Sequence, residues 1–193
     1  MMGAPAYQWP MPPPDGFTAA DLDRIPDLPP HTELIDGSLV FASPQRLFHM
    51  RAITLLENVL RRLAPKDLRV RREMTITVGE RQRPEPDVLV VNAEADAGDD
   101  QTSYSPDGVL LVVEVVSPDS EERDRERKPQ LYARAGIRHF WQVENGGGGN
   151  PVVYVYELDP ATRAYALTGI HHDELRLTVP FEIEIDLTEI SRL

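Results

Sequence analysis

Cysteine is absent from the 193-residue sequence. Its absence excludes disulfide bonds, thiolate zinc sites and thiol nucleophiles. A chain without cysteine is also typical of a reducing compartment, so we expect a cytoplasmic protein. Any bound metal ion must therefore be held by oxygen or imidazole ligands.

Long apolar segments are absent as well. No part of the sequence approaches the roughly 20 consecutive apolar residues that a helix needs to cross a bilayer. Residues 1–16 lack the basic segment followed by an apolar stretch that marks a secretory signal. With 41% hydrophobic and 27% charged residues, the composition is that of a globular protein. We therefore expect no secretion and no membrane partner.

Positive charge is scarce, because 20 Lys and Arg face 32 Asp and Glu, which gives a formal net charge of -12. This balance counts against a nucleic-acid partner, since binding a polyanion depends on basic side chains that neutralise phosphates. Two segments, residues 61–72 and 123–128, are locally basic although the chain as a whole is acidic. They are either basic faces for phosphate or arginines paired with neighbouring acids, and the sequence leaves both interpretations open.

The N-terminal segment is rich in proline, which accounts for eight of the first thirty residues. Proline has no N–H to donate, so residues 1–16 are predicted to form a flexible arm. Residues 17–193 are predicted to form a single domain. Residues 33–43 contain two short apolar stretches about Asp36-Gly37, a pair that type I' turns prefer, and they predict an opening hairpin.

The rest of the sequence alternates helical and strand-like patterns. Apolar spacings of three and four predict a helix over residues 45–64. Strands are predicted at residues 68–78, 86–91, 109–116, 137–144, 152–159, 163–169 and 175–185, and a second helix at residues 119–135. The order predicts an α/β fold in which a mixed sheet is flanked by helices, with β-hairpin additions at both ends.

Two acidic residues stand in strands that are otherwise apolar. Glu114 lies within VLLVVEVV, and Asp87 begins the strand PDVLVV. Burying a carboxylate without a partner is costly, so each acid needs a proton or a cation. Consecutive strands are often neighbours in a sheet, and the two acids are then expected to converge on one point.

A divalent metal ion would make this convergence favourable. With carboxylate and carbonyl oxygen as ligands, Mg²⁺ or Mn²⁺ suits the site better than zinc. Asp87 and Glu114 are the candidate metal ligands, and the backbone carbonyl of Val115 is a candidate third ligand. The sequence therefore predicts a site for a hard cation at these strands.

Lys128 lies on the element that follows the second acidic strand. Its ammonium is suited to orienting a water molecule or to neutralising charge on a phosphate. Asp124 and Tyr132, four residues to either side, share its face if the helix is continuous. Pro129 is out of place inside a helix, so either the regular helix begins near Lys128 or the helix is kinked.

A purely structural interpretation of these residues stays open. Glu114 would then pair with a core arginine such as Arg138, and Asp87 would cap a turn. Asp124 and Lys128 would form an exposed helix pair. His49 lies between apolar helix positions and is expected to be structural.

As a set, several motifs resemble the Uma2 family of restriction-type endonucleases. They are ELIDG at 33–37, PDVLVV at 86–91, LLVVEVVSPDS at 110–120, the D-x-x-x-K-x-x-x-Y spacing that begins at Asp124, and LYARAGIRHFWQVE at 131–144. The resemblance runs from about residue 17 to residue 160. That family is similar to the PD-(D/E)XK nuclease superfamily, which implies a restriction-endonuclease-like core.

The resemblance also implies roles for individual residues. Asp87 matches the acid of the PD motif, and Glu114 matches the acid of the second half. The superfamily places its lysine two residues after that acid, where this chain has Val116. The resemblance therefore assigns the lysine role to Lys128 and an additional acidic role to Glu33. Glu33, Asp87, Glu114 and Lys128 are the predicted catalytic residues.

The predicted activity is hydrolysis of phosphodiester bonds in DNA with Mg²⁺ or Mn²⁺ as the cofactor. A homodimer is a further expectation, because cleavage of both strands needs two sites. One alternative is a catalytically inactive module of the same fold that binds nucleic acid or a protein partner. Another is a glycosidase that uses a carboxylate pair, which would act without a metal ion.

Overall fold

The computed structural model describes residues 9–148 and 150–193. In these residues the strands are β1 (Glu33–Ile35), β2 (Ser38–Val40), β3 (Leu68–Arg72), β4 (Thr75–Ile76), β5 (Val88–Asn92), β6 (Ser103–Tyr104), β7 (Val109–Val115), β8 (His139–Asn145), β9 (Pro151–Asp159), β10 (Ala164–His171), β11 (Glu174–Leu177) and β12 (Ile183–Asp186). The α-helices are α1 (Leu47–Leu63) and α2 (Lys128–Arg134), and a π-helical segment, Arg123–Arg127, leads into α2. Short 3-10 helices span Ala19–Asp21, Ala93–Ala95, Pro106–Gly108 and Leu187–Arg192.

A six-stranded mixed sheet forms the centre of the fold, in the order β10-β9-β8-β7-β5-β3. The β7 and β8 strands are parallel, and every other pair in this sheet is antiparallel. A parallel pair needs a crossover connection, and the segment that carries α2 supplies it. The predicted mixed sheet flanked by helices is confirmed.

Apolar layers cover both faces of the central strands. On one face α1 packs Leu56 and Leu60 against a cluster that includes Val113 and Trp141, and the β11–β12 hairpin joins this side. On the other face, Tyr132 of α2 packs in a cluster with Phe140. Coverage on both faces explains why β5 and β7 are almost wholly apolar. Within the described residues, no helix combines the length and apolar character needed to cross a bilayer.

The predicted N-terminal hairpin is present. The β1 and β2 strands pair antiparallel around Asp36 and Gly37, which have φ of 52° and 76°. Positive φ at both positions is what a type I' turn requires. Residues 1–8 of the predicted arm lie outside the described residues. Further along, the ring centroids of Trp9 and Phe41 lie 4.8 Å apart, so Trp9 of the arm segment contacts the chain just after the hairpin.

The strand predicted over residues 68–78 is wrong as a single element. It divides at Glu73, whose φ of 52° lies in the left-handed region. Before the break, β3 pairs with β5 in the main sheet, whereas β4 pairs in parallel with β6 in a separate small sheet. The change in the apolar register of the sequence at this point marks the break.

Pro129 explains the form of the helix that follows β7. The proline has no N–H, and its ring would collide with the carbonyl one turn earlier in a regular α-helix. The chain instead widens into the π-helical segment Arg123–Arg127, where the N–H of Lys128 donates to the carbonyl of Arg123, five residues earlier. Regular α2 begins at Lys128, so the first of the two predicted arrangements is confirmed.

Candidate active site

Asp87 and Glu114 lie opposite each other where β5 and β7 pair. Val88 pairs with Val113 in this antiparallel register, and one further step places Asp87 across from Glu114. The Asp87 carboxylate accepts a hydrogen bond of 2.6 Å from the backbone N–H of Val115. The predicted juxtaposition of the two acids is therefore present in the fold, with Val115 contributing its N–H.

Glu114 is buried, with 1% of its surface exposed. Its Oε1 accepts a hydrogen bond of 2.6 Å from the Tyr132 hydroxyl, and its Oε2 lies 3.1 Å from the Lys128 ammonium. Arg138, the alternative partner considered from sequence, is exposed. Both oxygens of Glu114 are thus oriented by the helix that crosses back over the sheet.

Lys128 lies at the centre of a group of carboxylates. Its Nζ is 2.7 Å from Oε1 of Glu33, 3.1 Å from Glu114 and 3.3 Å from Oδ1 of Asp124. Glu33, buried on β1, also accepts a hydrogen bond of 2.7 Å from the backbone N–H of Glu85. The Asp124–Lys128 pair is therefore buried, and the exposed helix pair considered from sequence is wrong.

Negative charge exceeds positive charge in this group. Burial opposes the charge of Lys128, yet the surrounding carboxylates, that of Glu114 foremost, hold the pKa of its ammonium well above the usual value. Burial also raises the pKa of Glu114 well above the usual value, and Lys128 offsets this only in part. Burial likewise raises the pKa of Asp124. One ammonium cannot compensate three buried carboxylates, so the group requires a proton or a further cation.

His49 of α1 contacts Asp87, a relationship that sequence reasoning missed. Its Nε2 lies 3.1 Å from Oδ1 of Asp87, while its buried Nδ1 has no hydrogen-bond partner in the described residues. Burial lowers the pKa of the His49 ring, but the contact with Asp87 outweighs this and raises it. The only signal in the sequence was a histidine among apolar helix positions, which does not identify Asp87 as its partner. A second unpredicted pair, His31 with Glu85 at 2.5 Å, lies in the wall of the same cavity.

These residues line a cavity of about 110 Å³. Its acidic lining residues are Glu33, Glu73, Glu85, Asp87, Glu114, Asp119 and Asp124. The basic side chains in its wall are Arg46, Arg123, Lys128, His31 and His49. The excess of carboxylates makes the cavity a place where a cation is more favourable than an anion.

The donor set fits a hard divalent cation. Carboxylate oxygens dominate the cavity, and Oδ1 of Asp124 is buried with an ion-pair contact to Lys128 but no hydrogen bond. Oxygen ligands of this kind are those that Mg²⁺ and Mn²⁺ prefer. In the part of the chain that the structure describes, no three His, Asp or Glu side chains form a ready-made metal-binding group. The Lys128 ammonium instead takes the central position among the acids.

Much of the basic character of the two arginine clusters is neutralised by acids. Arg71 pairs with Asp96 in the first cluster, and Arg127 pairs with Asp36 in the second. Arg125 also pairs with Glu144 at 2.7 Å. For these arginines, the interpretation as paired surface charges is confirmed.

Comparison with known proteins identifies the family and the fold. A family model, Uma2, described as "Putative restriction endonuclease", matches residues 19–188. A solved structure described as a "putative nuclease belonging to DUF820" from Anabaena variabilis ATCC 29413 has a TM-score of 0.63 and 15% identity, covering 90% of this chain and 97% of that chain. This likeness shows a shared fold. The cAAA-bound form of NucC from P. aeruginosa ATCC27853 gives a TM-score of 0.36 at 12% identity over 60% of this chain and 69% of its own, too low to bear on the fold. No curated protein matches the sequence.

Proposed function

Because the chain belongs to the Uma2 family, we propose that it is an endonuclease that hydrolyses phosphodiester bonds in DNA with a divalent metal ion, Mg²⁺ or Mn²⁺. The observation that carries the proposal is the buried group of Glu33, Glu114 and Asp124 around Lys128. Asp87 borders the same cavity, with 15% of its side chain exposed. Such groups are costly to bury and are typical of functional sites.

The metal ion would be held by Asp87, Glu114 and the backbone carbonyl of Val115. When bound, it supplies Lewis-acid polarisation of the phosphate and lowers the pKa of a coordinated water molecule. The excess of carboxylates in the cavity supports this assignment, because a divalent cation would balance the charge that Lys128 leaves uncompensated.

The side chains of the protein then have separate tasks. The Lys128 ammonium would position the attacking water or stabilise the negative charge that develops on the phosphate. Glu33 fixes Lys128 from the hairpin, at 2.7 Å. The Tyr132 hydroxyl fixes Glu114, and the Val115 N–H fixes Asp87. Each reacting group is thus held in place by a second contact, as preorganised catalysis requires.

The net charge of -12 can be reconciled with a DNA substrate at this site. Arg46 and Arg123 lie in the wall of the cavity, and neither forms an ion pair within the described residues. Their guanidinium groups are available for phosphates that flank the scissile bond. A bound divalent ion would further reduce the negative potential where the phosphate approaches.

Nicking of supercoiled plasmid DNA tests the proposal. We expect nicking with Mg²⁺ or Mn²⁺, none with EDTA, and a loss of at least a hundredfold in the Asp87→Ala and Lys128→Ala proteins. Asp96→Ala, which removes a partly exposed acid paired with Arg71, is the matched control and should stay active. Circular dichroism must show that each variant is folded.

The same assay distinguishes the nuclease proposal from its main alternative. A catalytically inactive module would bind DNA or a protein partner but leave every DNA and RNA substrate uncut with either metal ion. Cleavage that persists in EDTA would instead contradict the metal-dependent mechanism. Sedimentation of the protein with and without a duplex oligonucleotide tests the expected homodimer.

A further inference from the structure

A second, larger cavity lies between α2 and strands β8, β9 and β10. Its volume is about 570 Å³, within the range of roughly 300–1,000 Å³ typical of small-molecule sites. None of the residues that line it also lines the candidate active-site cavity. The cavity is therefore a separate feature that the proposed nuclease chemistry does not use.

Aromatic side chains form one wall of this cavity. The ring of Phe140 lies 5.5 Å from that of Tyr156 and 5.3 Å from that of Tyr165, measured between centroids. The Tyr165 hydroxyl donates a hydrogen bond of 2.9 Å to the carbonyl of Ile137, which fixes its orientation. Tyr156 is only half-buried, so part of it faces the cavity. Planar bases stack on exposed aromatic side chains of this kind.

The cavity is locally basic in a strongly acidic chain. Three arginines, Arg125, Arg134 and Arg163, line it with a single acid, Glu126. Arg125 forms an ion pair with Glu144. Within residues 9–148 and 150–193, Arg134 and Arg163 form no ion pair, so two guanidinium groups are available to an anion. Guanidinium groups match the geometry of phosphate oxygens.

A buried polar side chain completes the wall. Gln142 of β8 lines the cavity and is only 6% exposed. Its amide nitrogen donates a hydrogen bond of 2.6 Å to Glu144, which holds the side chain in one orientation. A fixed amide beside an aromatic wall is suited to reading the polar edge of a base.

From these observations we propose that the cavity binds a nucleotide. The base lies against Tyr156 within reach of Gln142, and the phosphate is held by Arg134 and Arg163. The combination of an aromatic wall with two unpaired guanidinium groups favours this ligand over an uncharged or a purely aliphatic one. The nucleotide is either free in solution or one unit of an unpaired nucleic-acid strand. The proposal does not depend on nuclease activity.

Calorimetric titration of the full chain in EDTA tests the proposal without cleavage. The probes are adenosine 5'-monophosphate, inorganic phosphate and a single-stranded DNA of about five nucleotides. We expect binding of the monophosphate or of the strand to weaken about tenfold for each of Arg134→Gln and Arg163→Gln, because each removes a charge-assisted contact. Arg62→Gln, an exposed arginine of α1 without an ion pair in the described residues, is the matched control.

The outcomes distinguish the ligand sources. Binding of the monophosphate, weakened by Tyr156→Leu while the affinity for inorganic phosphate is unchanged, supports a free nucleotide. Binding of the strand alone, weakened by the same substitutions, supports a unit of nucleic acid. The proposal is overturned if neither the monophosphate nor the DNA strand binds, or if phosphate binds as tightly as the monophosphate. It is also overturned if the arginine substitutions leave binding unchanged. Repeating the titration with Arg46→Gln separates this cavity from the candidate active site, since Arg46 lines only the latter and that variant should bind normally.

Discussion

The Lys128 ammonium lies 2.7 Å from the Glu33 carboxylate, so the helix after β7 and the N-terminal hairpin meet in one ion pair. Both residues are buried. The hairpin is remote in sequence from the central strands, yet it supplies one of the three acids around the lysine. The candidate active-site cavity is thus assembled from parts of the chain that no local pattern connects.

Removing the lysine should destabilise the fold strongly. We expect Lys128→Met to lower the free energy of unfolding by about 3–5 kcal/mol, because it leaves buried carboxylates without their countercharge. The matched control is Arg127→Met, which removes the pair between Arg127 and the exposed Asp36 and should cost less than about 1 kcal/mol. Urea denaturation at neutral pH measures both. Equal losses in the two variants would contradict the central role given to Lys128.

The stability of the metal-free protein should depend on the ionisation of Glu114. Burial raises its pKa in the folded state above the ordinary 4.5. Its contribution to stability is therefore fully present below pH 4.5 and is lost as pH rises through the folded pKa, since the unfolded chain ionises first. Relative to Glu114→Gln, the wild-type free energy of unfolding should fall with pH by up to about 1.4 kcal/mol per unit.

Urea denaturation in EDTA at pH values from acidic to mildly alkaline measures this difference. Lys128 stays protonated over that range, because its pKa is held above the usual 10.5. The slope is therefore attributable to the carboxyl group. A flat difference would show that folding leaves the pKa of Glu114 unchanged, and a difference that rises with pH would show that folding lowers it.

A divalent metal ion should stabilise the folded protein. If Mn²⁺ balances the excess of carboxylates, it should bind the folded protein and stabilise it. A free Mn²⁺ concentration one hundred times the dissociation constant should add about 2.7 kcal/mol to the free energy of unfolding. Scanning calorimetry should show a higher unfolding temperature with Mn²⁺ for the wild type but not for Asp87→Ala. Asp96→Ala, altered at a surface ion pair, should respond as the wild type does. An identical Mn²⁺ response in Asp87→Ala would remove Asp87 from the ligand set.

Removal of the Tyr132 hydroxyl should lower the stability of the folded protein. Tyr132→Phe keeps the ring but removes the 2.6 Å hydrogen bond to Glu114, and we expect a loss of about 1.5–3 kcal/mol, the range for hydrogen bonds to charged groups. Tyr165→Phe removes a bond to a neutral carbonyl and should cost nearer 1 kcal/mol. Thermal denaturation compares them. If Glu114 is protonated at the pH of measurement, the two losses should be similar.

Sequence patterns predicted the parts of the fold that local chemistry determines. The spacing of Leu56 and Leu60 predicts the buried face of α1, and Asp36-Gly37 predicts the hairpin turn. The apolar runs of β5 and β7 predict central strands, and Asp87 and Glu114 are conspicuous within them because their burial is costly. These features could be predicted because each depends on residues close together in the chain.

Contacts between distant elements could not be predicted in this way. His49 contacts Asp87 only because α1 packs over the end of β5. The division of the strand at Glu73 follows from tertiary pairing of β4 with β6, a short strand in the segment between the predicted strands 86–91 and 109–116. The pairing of Lys128 with Glu33 depends on how the hairpin docks. The sequence motifs indicated which residues matter but not which partners they have.

The π-helical turn ahead of Lys128 has a consequence for how such a site can change over generations. In the sheet, a shift of one residue moves every side chain of a strand to the opposite face, so the register of Asp87 and Glu114 tolerates no insertion. A helical segment that contains an i to i−5 turn holds one residue more than a regular α-helix and still continues its hydrogen bonding. The segment before Lys128 can therefore take up an inserted residue while the acids stay in register.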